Sequence, residues 1–123
     1  MEKNSAERFK VLGQLNSEDR QLMISMIASI AKRDHAQMAR CVKFDCITLT
    51  DLLDYLDNLQ IQFSHTTNEC IDQAMVGKRE EGDYQIHVSL LREDNSESYA
   101  VAVFIFNPSS AQSRVTVGYI YEP

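Results

Sequence analysis

The sequence predicts an α+β fold: N-terminal helices, one short and two long and antiparallel, followed by a three-stranded antiparallel β-meander. Three observations predict it. No glycine or proline falls between Gly13 and Gly77, so no strong breaker interrupts that stretch. Apolar residues recur there every three or four positions, the period of an amphipathic helix. Beyond residue 83 the period becomes two, that of a half-buried strand. With 123 residues the chain has the length of one domain. Its helical part is expected at 1–77 and its meander at 83–122.

The first helix covers Ser5–Leu12, capped by Ser5, with Phe9 and Leu12 on its apolar side and Gly13 at its end. The second is placed at 17–43. Asn16 or Ser17 caps it, and Glu18 and Asp19 suit the positive end of its dipole. Leu22, Met23, Met26, Ile27, Ile30, Ala31, Met38, Cys41 and Val42 share one broad face. Residues 44–50 read as a connector, with Thr48 or Thr50 as the next cap.

Segment 49–76 allows two readings. One is a helix to about Gln60, a short strand at Ile61–Phe63 and a second helix from Thr67. The other is a single helix ending at Gly77. The recurrence of Leu49, Leu52, Leu56, Leu59, Phe63, Thr67, Cys70 and Ala74 favours the single helix. Ile61, Met75 and Val76 are its exceptions, and His65–Thr67 is its weak point.

Residues 78–83 form a charged turn. Tyr84, Ile86, Val88 and Leu90 then alternate with polar residues as the first strand. Tyr99–Phe106 is the second and Ser113–Tyr121 the third, with Val115, Val117, Tyr119 and Tyr121 on one side. Pro108 suits the turn between the last two.

Length and patterning point to self-association. The middle strand is apolar on both faces. Tyr99, Val101, Val103 and Ile105 face one way, and Ala100, Ala102, Phe104 and Phe106 the other. A 27-residue helix is about 40 Å long, against a diameter of about 35 Å for a globule of this size. A homodimer shelters such elements, with Ala100, Ala102, Phe104 and Phe106 as its self-association face.

Composition narrows the function. The net charge is −6 and the pI about 4.9, which disfavours general affinity for nucleic acid. Residues 1–47 hold eight Lys/Arg against six Asp/Glu, whereas 48–123 hold four against twelve. No apolar run reaches the ~20 residues of a membrane-spanning helix, and the first residues lack the apolar core of a secretory signal. Cys41, Cys46 and Cys70 are an odd number without framework spacing, which fits reduced thiols in the cytoplasm.

Chemical motifs are lacking. His35, Cys41, Cys46, His65, Cys70 and His87 show no metal-ligand spacing. Cys46 lacks a nucleophile context, Asp51 and Asp54 read as solvated acids, and there is no glycine-rich phosphate loop. The reading therefore leans away from an enzyme, and no cofactor or metal is expected.

The acidic stripe Asp51, Asp54, Asp57, Glu69 and Asp72 suits a basic protein partner. The sequence is best read as a protein-interaction module: an inhibitor, immunity or regulatory protein docking that face. Two alternatives stand beside it. One is a small-molecule sensor or sponge with a pocket of Tyr84, Tyr99, Tyr119 and Arg114 between sheet and helices. The other is a nucleic-acid regulator using the basic stripe Lys32, Arg33, Arg40 and Lys43.

Overall fold

The structure, a computed structural model, describes residues 2–41, 48–79, 82–111 and 113–123. The helices are α1 (Glu2–Leu12), α2 (Ser17–Lys32), α3 (His35–Cys41), α4 (Leu49–Asn58) and α5 (Asn68–Asp72). The strands are β1 (Met75–Lys78), β2 (Tyr84–Leu91), β3 (Glu97–Phe106) and β4 (Val115–Tyr121). The fold is α+β. The antiparallel sheet has four strands in the order β1-β2-β3-β4, one more than the expected meander. No described helix is long and apolar enough to cross a membrane.

The expected helix over 17–43 stops at Arg33. Its backbone turns left-handed there (φ 55°, ψ 36°). The Arg33 N–H reaches the Ile30 carbonyl, and the Asp34 N–H reaches that of Ser29. This is a Schellman-type stop made without glycine. The Arg33 side chain offsets the unfavourable backbone: one guanidinium nitrogen donates to the Ile30 carbonyl at 2.7 Å and another to Asp57 at 2.8 Å. Asp34 then caps α3 by accepting from the Gln37 N–H.

The single helix over 49–76 is likewise broken. Thr48 caps α4 as expected, accepting from the Asp51 N–H. Gln60 then turns to φ 54°. The Gln60 and Ile61 N–H groups reach the carbonyls of Asp57 and Leu56, a second non-glycine stop. The following residues run extended beside β2. Ser64 and His65 N–H both donate to the Leu91 carbonyl, and Leu91 N–H donates to that of His65. The buried Thr66 hydroxyl donates to the Ser89 carbonyl. Thr67 caps α5. Gly77 is no helix stop; it lies in β1, opposite Gln85. The Arg79 guanidinium clasps Asp83 in two hydrogen bonds across the turn from β1 to β2. That clasp holds the Asp83 carboxyl below its usual pKa.

The helices pack on one side of the sheet. Met23, Met26, Ile27 and Ile30 of α2, with Leu52 and Leu56 of α4, meet Ala100, Ala102, Phe104 and Phe106 of β3 in one cluster. The four β3 residues are at most 1% exposed. They are therefore the chain's own core and cannot form the expected self-association face.

The opposite face of β3 is largely sheltered too. Val103 is 0% and Ile105 5% exposed, although they lie outside the helix-facing cluster. Part of that shelter is a roof of rings. The Tyr121 ring lies 6.2 Å from that of His87 and 5.7 Å from that of Tyr119. The register sets Val103 between His87 and Tyr119, with Tyr121 opposite Val101. Tyr121 therefore reaches across β3 to His87. With the long helices cut short and the ribbon sheltered within one chain, both sequence arguments for a dimer lapse.

Bulges explain two further departures. Val103 pairs with Tyr119 but Phe104 with Val117, leaving Gly118 as the extra residue. A Cβ at Gly118 would meet the Val103 carbonyl at 3.1 Å. The bulge flips the phase of β4. Val115, Val117 and Ile120 enter the core, while Tyr119 and Tyr121 face outward instead of joining Val115 and Val117. At the start of β3, the Ser98 hydroxyl donates to the Leu90 carbonyl and accepts from the Ala100 N–H. Tyr99 beside it sits at φ 68°, a strained setting for an aromatic residue. Phe9 also departs from expectation, standing exposed under the Arg8 guanidinium rather than packed inward.

Burial lowers the pKa of His87 below its usual 6.5. Its cross-strand neighbours Met75 and Val103 carry no charge, and its ring partner is the Tyr121 hydroxyl, 3.4 Å from Nδ1. The folded state thus binds this proton less readily than the unfolded chain. The stabilisation is present above pH ~6.5 and lost as pH falls through the lower folded value. Thermal midpoints measured from pH 7 to pH 5 are expected to fall further in the wild type than in His87→Gln.

Candidate protein-interaction surface

The sequence of α4 builds a helix with two characters. Leu52 and Leu56 are fully buried, and Leu49 and Leu53 pack at the margin of the core. Asp51, Tyr55 and Leu59 recur every four residues, which places them in line along the outer flank. Tyr55 is 39% and Leu59 57% exposed. Asp54 and Asn58 stand exposed beside that line. The result is an aromatic and an aliphatic side chain flanked by acids on a capped helix.

Leu59 was expected on the inward stripe. It is exposed because α4 ends at Asn58 and the chain turns away at Gln60. Tyr55 does not stand out in the sequence, because one tyrosine among acids reads as part of a solvated face. The available signal was its spacing of four from both Asp51 and Leu59.

The five acidic residues of the expected stripe do not share one helix. Asp51, Asp54 and Asp57 lie on α4, and Glu69 and Asp72 on α5. Asp57 pairs with Arg33 and Asp72 with Arg20, each at 2.8 Å. The Asp51 and Asp54 carboxylates form no ion pair among the described residues. Glu69 borders an open cleft with Thr67, Cys70 and Gln73.

The basic stripe is divided as well. Lys32 is exposed at the end of α2, and Arg33 is engaged with its own helix and Asp57. Arg40 lies beyond the break, exposed on α3. Lys43 lies outside the described residues, as does Cys46.

The four residues expected to line a ligand pocket do not meet. Tyr84 packs against the core opposite Phe106, at the far end of β3 from Tyr99. Tyr99 and Tyr119 are exposed. Arg114 pairs with Asp19 at 3.2 Å, donates to the Gln14 carbonyl at 2.8 Å and lies over the Phe106 ring. Several open clefts follow the extended 61–67 segment. One of them, about 450 Å³ and open to solvent, is lined by Gln62, Phe63, Ser64, Arg92, Glu93 and Asp94. Ser96 donates two hydrogen bonds to Asp94 there and lowers the pKa of its carboxyl. Among the described residues, no three His, Cys, Asp or Glu side chains gather around a metal-sized space.

No protein-family model, curated protein or solved structure matches this chain.

Proposed function

We propose that this protein is an interaction module that docks the outer flank of α4 on a basic protein partner. The observation that carries the reading is the exposed line Asp51–Tyr55–Leu59 with Asp54 beside it. Aromatic side chains supply much of the energy at protein interfaces, and charges around them steer association and select the partner. Tyr55 and Leu59 are the anchors in this reading. Asp51 and Asp54, without an ion pair among the described residues, face the partner's cations. A partner of matching chemistry carries Lys or Arg around an apolar recess. Covering such a recess makes this protein an inhibitor or regulator of whatever its partner binds there.

The test is affinity capture from native lysate with wild type, D51K/D54K, Tyr55→Ala and a control, Ser109→Lys, at an exposed turn residue remote in sequence from α4. A specific partner is expected to be retained by the control and lost with D51K/D54K. Tyr55→Ala is expected to weaken it about 30-fold, the effect of losing an interface anchor worth ~2 kcal/mol. Raising salt should weaken capture by the wild type. Equal capture by wild type and D51K/D54K would reject this docking face.

A further inference from the structure

We propose that the free edge of β4 pairs antiparallel with β4 of a second copy of this chain, joining two four-stranded sheets into one. This surface differs from the α4 flank, and the argument is independent of that reading.

The two edges of the sheet are unlike. β1 is four residues long and carries Lys78, both of which discourage pairing. β4 is seven residues, Val115–Tyr121, with no charged residue and no proline. It closes the strand order. Apart from the Ser113 hydroxyl on the Val115 carbonyl, no hydrogen bond joins the β4 backbone to anything but β3 among the described residues. An edge of this length with no guard is a template for another strand.

The register of β4 against itself argues for a second copy as the occupant, and charge does not oppose it. Two molecules of net charge −6 repel across most contacts, but a strand free of charge meets its own copy without like-charge pairs. Side-chain alternation then selects the register. Val117 and Ile120 face the core, whereas Tyr121 lies in the outward ring roof and Thr116 pairs with outward-facing Ile105. A two-fold axis between Gly118 and Tyr119 sets Val117 against Ile120 of the second copy and Thr116 against its Tyr121. Core side then faces core side and outward faces outward; Val117 and Ile120 are already buried in their own chain, and the Thr116–Tyr121 contacts are the favourable cross-strand pairs. A slip of one residue would set Val117 against Tyr121 or Tyr119 and mix the faces. The Gly118 bulge falls beside the axis and leaves a regular stretch on either side. The contact is isologous, so it closes as a dimer.

Sedimentation of the full chain from low micromolar to near-millimolar loading is the first test. A dimer is expected at high loading, with Thr116→Lys raising the midpoint concentration at least tenfold while far-UV circular dichroism stays unchanged. The second test is mild oxidation of T116C/Y121C. Facing Cβ atoms lie about 4.5–5.5 Å apart, so the double variant should form a covalent dimer and neither single variant should. A single-copy particle at every loading overturns the proposal. So does a dimer that Thr116→Lys does not weaken and the cysteine pair does not capture.

Discussion

Phe104→Ala is expected to destabilise the fold by about 3–5 kcal/mol, the range for emptying a fully buried aromatic site. Phe104 is 0% exposed and packs in the cluster that joins β3 to α2 and α4. Ordinary domains are stable by only 5–15 kcal/mol, so this change alone brings the protein close to unfolding. Denaturant titration followed by far-UV circular dichroism measures it. Val101→Ala, at a half-exposed position on the other face of β3, should cost far less. The comparison distinguishes the two possible orientations of the strand. If Phe104 pointed outward, its truncation would cost about as little as that of Val101.

The second large effect is expected at Asp19, a buried carboxylate at the start of α2. It serves two structures at once. Asn16 accepts from the Asp19 N–H at 2.8 Å and donates its own N–H to the Asp19 carboxylate at 3.0 Å, forming a capping box. The same carboxylate meets Arg114 at 3.2 Å, which ties the helical layer to the strand end beside Phe106. Losing a cap costs about 1 kcal/mol. Stripping the partner from a buried ion pair costs about 3–5 kcal/mol, less here because Arg114 is a third exposed and can turn to water. Asp19→Ala should therefore lower stability by about 2–4 kcal/mol. Asp19→Asn, which keeps an acceptor for Asn16, should lose less. A double-mutant cycle with Arg114→Ala isolates the pair, and a coupling near zero would show that the cap alone matters.

The sequence made β2 legible because its alternation runs without a bulge from Tyr84 to Ser89. Ile86, Val88 and Leu90 enter the core as their spacing requires. The Asn16 and Thr48 caps were visible because short acceptor side chains precede apolar runs. The stop at Arg33 left no signal in the sequence, and the one at Gln60 belongs to the less favoured of the two readings of 49–76, for a definite reason. Arg33 and Gln60 take left-handed backbone without being glycine, so a search for glycine and proline passes over both. Ile61, Met75 and Val76 were the residues that broke the helical stripe, and the structure places Ile61 in the core beyond α4 and the other two in β1. At Gly118 the lost signal was one residue long, enough to turn Tyr119 and Tyr121 from core to surface. The candidate surface was half legible. Asp51 and Asp54 stand out by charge, but Leu59 is exposed only because α4 ends where it does.

Site-directed photocrosslinking tests the docking surface most directly. A photoreactive phenylalanine analogue replaces Tyr55 in one preparation and the exposed Ser109 in another, and both are irradiated in native lysate. One discrete adduct is expected from position 55 and not from 109, and it should vanish when D51K/D54K is added. No discrete adduct from position 55, or the same adducts from both positions, would contradict the assignment of α4 as the face this protein presents to its partner.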